Sequence, residues 1–361
     1  MKNIQIAILA VCIGSLGGLA LQAQENTSYG SGALPNQAGV QNSAFGYDAL
    51  YSNTSGSNNT AIGTQTLQSN TTGFENTATG YEALNLNTTG FFNTATGFYA
   101  LQANTTGAFD TATGASALAD NTTGSFNVAN GYEALYSNTT AGGNTAIGPW
   151  ALGSITTGGE NIGIGYAAGY YLPAGASNNI DIGHMGSAND NNGIVRIGTA
   201  GTQTAFYAAG IRGTKTGANN AVEVVIDSNG QLGTINSSIR FKQDVHDMAA
   251  ASDGLMRLRP VTYRYIQPYA DGSKPMDYGL IAEEVAEVYP DLVARNADGQ
   301  IQTVQYQKLT PMLLNEVQKE HKLLEQQETT VQQQQETIQQ LEKRLAAIEA
   351  MLPSATQPAE K

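Results

Sequence analysis

Cysteine and basic residues are scarce in this chain of 361 residues. It contains one cysteine, Cys12, and 17 lysines and arginines against 30 aspartates and glutamates, which gives a net charge of −13. A lone cysteine excludes a disulfide framework within the chain and argues against thiol chemistry. Nucleic acid is a poor partner for such a chain, because phosphate binding needs clustered cations.

Long apolar runs are also rare, and the one that stands out lies at the amino terminus. Lys2 supplies a positive start, an apolar stretch runs from Ile4 to Leu21, and the small Ala23 precedes a polar segment. This order is typical of a cleaved secretory signal peptide over residues 1–23, and the short, glycine-interrupted stretch disfavours a transmembrane anchor. We therefore predict a secreted or cell-surface protein that is not embedded in a membrane once mature.

Glycine, in contrast, is abundant and recurs with a fixed period. Eight glycines are spaced 17 residues apart: Gly46, Gly63, Gly80, Gly97, Gly114, Gly131, Gly148 and Gly165. A period of this kind is typical of a solenoid, in which each coil stacks on the next and none buries a core alone. We assign the repeats to residues 41–169 and a flexible lead-in to residues 24–40.

Each repeat follows the consensus N-T-A-x-G-x-x-A-L-x-x-N-T-T-G-x-x. The N-T-A-x-G segment predicts a short strand with small residues inward and polar residues outward. The leucines four residues after each anchor glycine, from Leu50 to Leu152, are expected to stack into an apolar ladder, which three chains packed side by side would bury. The second glycine, such as Gly90, is expected to permit a turn conformation that other residues resist, and Asn and Thr ladders are expected to hydrogen-bond between coils.

This consensus resembles the head repeats of trimeric autotransporter adhesins, although the repeats here are longer. The resemblance implies a parallel β-roll in a fibrous protein. We expect the chain itself to be the main partner, as a homotrimer, and leave open a cell-surface or glycan receptor.

Beyond residue 169 the period is lost. Residues 170–235 are predicted to form a β-rich connector that fastens the solenoid to the carboxy-terminal domain. Short alternating segments predict strands at Asn179–Gly183, at Val195–Gly198 and at Val222–Ile226.

The carboxy-terminal part is predicted to be helical. Residues 311–352 carry an apolar residue at every seventh position: Val317, Leu324, Val331, Ile338, Leu345 and Leu352. This spacing predicts a coiled coil, and its second core position is partly polar, so the sequence leaves dimer and trimer open. Pro353 is expected to end the helix, and residues 353–361 form a polar tail.

A serine and a lysine lie five residues apart ahead of the helix, at Ser237 and Lys242. Serine becomes a nucleophile only when a base takes its proton, and a lysine can be that base if burial lowers its pKa. By spacing alone, a surface serine and a solvated lysine are the better interpretation. The surrounding motifs change that interpretation.

The motifs around this pair resemble the intramolecular chaperone auto-processing domain of phage tailspikes, endosialidases and the myelin regulatory factor. In chain order they are Ser237-x-x-Arg240-x-Lys242, Leu255–Tyr265, Tyr278–Val285, Tyr289–Val293 and Val304–Tyr306. The resemblance implies that residues 236–310 form an α+β domain that drives trimerisation of the fibre before it and then cleaves the chain.

Carried onto this sequence, the resemblance makes Ser237 the nucleophile, Lys242 its general base and Asn236–Ser237 the scissile bond. Family members usually carry aspartate after the nucleophile, whereas this chain has Ser238. Arg240 would either disfavour the charged lysine by like charge or hold a carboxylate. If active, the site would make the protein a single-turnover, self-cleaving serine peptidase.

The remaining titratable residues point to no other chemistry. His184, His246 and His321 lack metal-ligand spacing, so neither a metal nor a cofactor is predicted. Glu283 and Glu284 are expected on a short helix, in packing and ion pairs.

The predicted fold is therefore mainly β: a parallel β-roll or solenoid of 17-residue repeats, then an α+β chaperone domain that ends in a long coiled-coil helix. Two alternatives remain. One is a purely structural surface adhesin with an inactive dyad. The other is a glycan-degrading tailspike, which would need paired carboxylates that the scattered Glu82, Glu133 and Glu160 do not supply.

Overall fold

A computed structural model describes residues 25–212, 216–296 and 298–351. The described residues divide into two compact units after Ala209. The predicted signal peptide (1–23) and polar tail (353–361) lie outside the described residues, as do Cys12 and Leu352. Within the described ranges, no helix is both long and apolar enough to cross a membrane.

The first unit is a solenoid whose coils each contribute one short strand to a single parallel sheet. The strands follow one another in chain order: β1 (Thr27–Tyr29), β2 (Ser43–Phe45), β3 (Thr60–Ile62), β4 (Thr77–Thr79), β5 (Thr94–Thr96), β6 (Thr111–Thr113), β7 (Val128–Asn130), β8 (Thr145–Ile147), β9 (Ile162–Ile164), β10 (Ile180–Ile182) and β11 (Val195–Ile197). From β2 to β9 the strands start 17 residues apart. The predicted solenoid is confirmed.

The solenoid is longer than predicted at both ends. A flexible lead-in is predicted for residues 24–40, but its described residues 25–40 belong to the first coil, because β1 pairs in register with β2 and Leu34 is fully buried. At the other end, β10 and β11 continue the same sheet although the glycine period has stopped. The 17-residue spacing therefore predicted the regular coils. It missed the coils at the two ends, which keep the strand register although their turns are altered.

The strands alternate as predicted, with a small residue pointing inward. The central residue is alanine in seven consecutive strands, and each of these alanines is fully buried: Ala44, Ala61, Ala78, Ala95, Ala112, Ala129 and Ala146. The flanking residues of each strand point outward, and in β4 to β6 all of them are threonines. An alanine occupies little depth, so the opposite wall of the coil can approach the sheet closely.

The leucine ladder lies inside a single chain. The seven leucines of the ladder are completely buried within their own solenoid: Leu50, Leu67, Leu84, Leu101, Leu118, Leu135 and Leu152. The prediction that neighbouring chains bury this ladder is therefore wrong: the turn that carries each leucine folds back over the alanine column. These leucines have φ between 51° and 53°, a left-handed conformation that costs an L-residue about 1–2 kcal/mol. Burial of a leucine contributes about 1.5–3 kcal/mol, which offsets that strain.

Two ladders of asparagine side chains form hydrogen bonds between successive coils, as predicted. In one, Asn76 accepts the backbone N–H of Asn93 through Oδ1 and donates Nδ2 to the carbonyl of Gly90. In the other, Asn87 donates Nδ2 to Oδ1 of Asn70 and to the same Gly90 carbonyl. Because these amides are buried, each unmade bond would cost about 1–3 kcal/mol, so the ladders fix the register of successive coils.

The two glycines of each repeat have different roles. The anchor glycines adopt φ between 117° and 147°, which L side chains rarely tolerate. Gly90 has no positive φ, so the prediction that the second glycine supplies a turn conformation is wrong. Instead, a Cβ there would overlap the carbonyl oxygen of Gly107 in the next coil. The second glycine is needed for close approach between coils.

The second unit combines three small antiparallel sheets with helices. Its elements are β12 (Val225–Ile226), β13 (Leu232–Gly233), a 3-10 turn (Ile239–Phe241), a longer 3-10 segment (Ala249–Arg257), β14 (Val261–Tyr263), β15 (Asp277–Gly279), α1 (Ala282–Val288), a third 3-10 turn (Pro290–Leu292), β16 (Val293–Arg295), β17 (Ile301–Val304) and α2 (Tyr306–Met351). The strands pair β12 with β13, β14 with β15 and β16 with β17.

A small core joins the start of α2 to the body of this unit. Leu309 and Met312 of α2 pack with Leu255, Val285 and Val304. The helix begins five residues before the predicted start at 311, and it contains Pro311. From residue 321 to residue 350 every side chain is exposed, which leaves the predicted heptad positions open to solvent in one copy.

We predict that Leu101→Ala destabilises the solenoid by about 2–5 kcal/mol, because it leaves a cavity between two coils. Thermal unfolding followed by circular dichroism measures the effect. Thr96→Ala, on the exposed face of the same coil, is the matched control and is expected to be nearly neutral. Equal shifts for the two variants would contradict the inward leucine ladder.

The asparagine ladder contains one acid, which predicts a pH-dependent stability. Asp110 accepts the backbone N–H of Asn127, as the ladder asparagines do, but its second oxygen lacks the amide protons that Asn93 donates to Gly107. Burial raises the pKa of Asp110 to about 7 from 3.8. The native chain thus retains a proton that the unfolded chain releases, so the contribution is full below pH 3.8 and is lost as the pH rises to about 7.

We therefore expect wild type to lose about 3 kcal/mol relative to Asp110→Asn between pH 5 and pH 8. Urea unfolding of both proteins at several pH values gives the difference directly. Asp298→Asn, an exposed position in the second unit, serves as the control for a general charge effect. A difference that does not vary with pH would show that Asp110 is not protonated in the native state.

Candidate functional site

The structure brings the two predicted catalytic residues together. Nζ of Lys242 donates a hydrogen bond to Oγ of Ser237 over 3.2 Å. Both side chains are exposed to solvent in the single chain. Asn236, on the amino-terminal side of the predicted scissile bond, is also exposed, so the bond is open to its surroundings.

A single 3-10 turn accounts for this contact. Residues Ile239–Phe241 form the turn, in which the backbone N–H of Phe241 donates to the carbonyl of Ser238. The N–H of Lys242 likewise donates to the carbonyl of Ile239 at 3.1 Å. The turn therefore brings Lys242 back toward Ser237, whereas an extended chain would hold the two residues apart.

Ser238 caps the turn at its amino-terminal end. Its backbone is extended, with φ −66° and ψ 142°, and its Oγ accepts the backbone N–H of Arg240 at 3.4 Å. Serine and aspartate are both favoured at this position because a side-chain oxygen can accept a free N–H there. The departure from the family pattern, serine in place of aspartate, thus preserves the capping oxygen.

Arg240 lies beside the cap. Its Nε donates to Oγ of Ser238 at 3.3 Å, and its guanidinium lies 5.5 Å from the centre of the Phe241 ring. Among the described residues no carboxylate pairs with Arg240. Its contacts therefore support the turn.

Apolar side chains around the dyad are largely open to water. Ile239, Phe241 and Val245 are each exposed by 60% or more. An isolated copy thus presents Ser237 and Lys242 on a surface that is apolar but uncovered. Apolar exposure of this kind marks a surface suited to contact with another protein.

A second serine–lysine contact, absent from the sequence prediction, lies where α2 joins the domain. Ser252 is fully buried and donates to Glu316 at 2.5 Å, while Asn315 donates to Ser252 at 2.6 Å. Lys319 donates to Ser252 at 3.3 Å and pairs with Asp253 at 2.5 Å and with Glu316 at 2.7 Å. Ser252 and Asn315 are 63 positions apart in sequence, so no local spacing could have revealed the cluster.

The electrostatics of this cluster differ from what a general base needs. Hydrogen bonds to Asp253 and then to Glu316 raise the pKa of Lys319, and the hydrogen bond from Lys319 lowers the pKa of Glu316. Both groups therefore stay charged. We interpret the cluster as the polar anchor that fixes the first turns of α2.

The short acidic helix fulfils its predicted role in part. Glu284 on α1 accepts two hydrogen bonds from Arg259, from Nε at 3.2 Å and from the terminal nitrogen at 2.5 Å. In the neighbouring strand pair, the Tyr306 hydroxyl accepts the backbone N–H of Leu280 at 3.0 Å. These contacts tie α1, β15 and the start of α2 into one support for the domain.

Comparison with known proteins identifies the class of this domain. Residues 237–294 match the family model described as chaperone of endosialidase. The matched segment begins at Ser237 and covers the 3-10 turn, β14, β15 and α1. No curated protein and no solved structure matches the chain.

The chain therefore carries a domain similar to the endosialidase chaperone family, preceded by a parallel β-solenoid with coils of about 17 residues. A domain of this family points to trimerisation and autoprocessing in a fibre protein. The resemblance inferred from the sequence motifs is confirmed at this level.

Proposed function

We propose that this protein is a secreted, adhesin-like trimeric fibre whose carboxy-terminal domain assembles three copies and then cleaves the Asn236–Ser237 bond. The observation that carries the proposal is the 3.2 Å contact between Lys242 Nζ and Ser237 Oγ within a segment that matches the chaperone family. The solenoid is the fibre, and the cleavage is a single event in each chain.

The proposed reaction uses the hydroxyl of Ser237 and the amine of Lys242. Ser237 Oγ attacks the carbonyl carbon of Asn236 while its proton passes to Lys242 Nζ. The C–N bond then breaks, and Lys242 returns the proton to the leaving nitrogen of Ser237. The acyl group now rests as an ester on Ser237 Oγ, and hydrolysis by water leaves a new carboxylate at Asn236 and a new amino terminus at Ser237.

Assembly supplies the condition that an isolated copy lacks. A lysine accepts a proton only as the neutral amine, and removal from water disfavours the charged form. Neighbouring copies packed on Ile239, Phe241 and Val245 would exclude water from Lys242. Cleavage is then coupled to assembly, since an unassembled chain keeps its lysine solvated.

A structural adhesin with an inactive dyad is the alternative that the same fold allows. It shares the solenoid, α2 and the trimer, and it differs only in the covalent state of the Asn236–Ser237 bond. Intact mass spectrometry of the purified protein therefore separates the two.

We predict that wild type yields a fragment that begins at Ser237, whereas Ser237→Ala and Lys242→Arg stay full length. Alanine lacks the nucleophile, and arginine remains protonated and cannot act as the base. Intact mass and size-exclusion light scattering are measured on each protein, and both variants are expected to remain trimeric. Ser228→Ala, an exposed serine in the loop between β12 and β13, is the matched control and should be cut like wild type.

Two results would oppose this assignment in different ways. Cutting of Ser237→Ala at the same bond would show that another group attacks. A wild-type trimer that stays intact would favour the structural adhesin.

The cap generates a separate prediction. Ser238→Asp is expected to cleave at a rate close to that of wild type, since either side chain accepts the N–H of residue 240. Ser238→Ala should slow cleavage about fivefold, because loss of a cap costs about 1 kcal/mol. Cleavage rates come from time courses after refolding, and light scattering checks that every variant still forms trimers. If alanine and aspartate behave alike, the turn does not depend on this cap.

A further inference from the structure

The outer face of the last four coils is aliphatic. Strands β8 to β11 pair in register, so Ile147, Ile164, Ile182 and Ile197 form one continuous column. Beside it, Ile180 pairs with Val195. We call these six residues the aliphatic face.

Five of these side chains are exposed in the single chain, and Ile180 is partly buried. Ile147 and Ile182 are 42% and 37% exposed, and Val195 and Ile197 are 60% and 57% exposed. The outward positions of β8 to β11 hold no charged residue, although the whole chain carries a net charge of −13. Contact through this face would therefore bury apolar area without bringing like charges together.

The repeat itself does not require aliphatic side chains at these positions. In β4 to β7 the same column consists of Thr79, Thr96, Thr113 and Asn130. Those strands have the same length and register as β8 and β9. The change from polar to aliphatic side chains along this column therefore alters the outer surface and leaves the length and register of the strands unchanged.

The helix α2 indicates which molecule covers an apolar surface on this chain. Its residues Leu324, Val331, Ile338 and Leu345 lie seven apart, and all are about half exposed. Apolar residues with this period pack against the same stripe of other helices. The partner that the chain is built to meet is therefore another copy of itself, and copies joined through α2 hold their solenoids at a high effective concentration.

We infer that the aliphatic face is the surface through which the solenoids of neighbouring copies pack on one another, while the threonine columns of β4 to β6 remain in water. This inference rests on the proposed assembly and adds its location: contact between solenoids is concentrated in the coils that directly precede the chaperone domain in sequence. The N-terminal coils then need no partner to keep their fold, since their leucines are already buried.

Single cysteines test this inference in the full-length protein. In a Cys12→Ala background, Ile182→Cys places a thiol on the aliphatic face, and Thr96→Cys places one in the same column on a threonine strand. The measurement is the initial rate of maleimide labelling of the native protein, normalised to the rate in urea. We expect Ile182→Cys to react at least tenfold more slowly than Thr96→Cys. Ile147→Cys tests a second position on the face. Slow labelling there as well would show that the result for Ile182→Cys does not come from local disruption by one substitution.

The control adds Leu324→Asp and Ile338→Asp, which place charges in the apolar stripe of α2 and separate the copies. Protection of the cysteine at position 182 should then disappear while labelling at position 96 stays unchanged. Protection that survives in a monomer would overturn the inference, because the chain would then cover its own face. Equal labelling in a protein that light scattering shows to be trimeric would overturn it and leave the proposed assembly intact, whereas a monomeric wild type would overturn both.

Discussion

The close stacking of one coil on the next is the constraint on which the solenoid depends. Parallel strands hydrogen-bond only if successive backbones lie about 4.8 Å apart, and a Cβ at Gly90 would overlap the carbonyl of Gly107 at that separation. Close stacking also buries the asparagine amides, which must then bond to the coils on either side. The left-handed conformation of the leucines is tolerated because their side chains fill the interior beneath the alanine column.

Because the solenoid buries its own leucines, the apolar surface that remains for association lies elsewhere. The heptad stripe of α2 is exposed over residues that no part of their own unit covers, and the outward isoleucines of the last coils are exposed as well. The proposed assembly would therefore not complete a core that each chain left open. It would cover surfaces that are already folded, so that a few contacts between copies would suffice.

The two serine–lysine contacts show how surroundings decide what such a pair can do. Lys319 is held between Asp253 and Glu316, whose hydrogen bonds raise its pKa and fix it as a cation. No carboxylate within the described residues forms an ion pair with Lys242, which contacts Ser237 on an open apolar surface. The first pair anchors α2. The second lies where a covering partner would change its surroundings, which suits the proposed role of Lys242 as a proton acceptor.

The period of the glycines determined the solenoid, and the heptad determined the long helix, because both depend on residues close together in sequence. The contact between Ser237 and Lys242 could also be predicted from the sequence, since one 3-10 turn joins the two residues. The coil that begins at Thr27 departs from the 17-residue spacing and has Ser28 where the consensus has alanine, and its pairing with β2 places it in the sheet. Only the tertiary structure placed the leucines inside one chain and joined Ser252 to Glu316. A repeat specifies which residues share a face, but the direction of that face depends on how each turn closes over the coil.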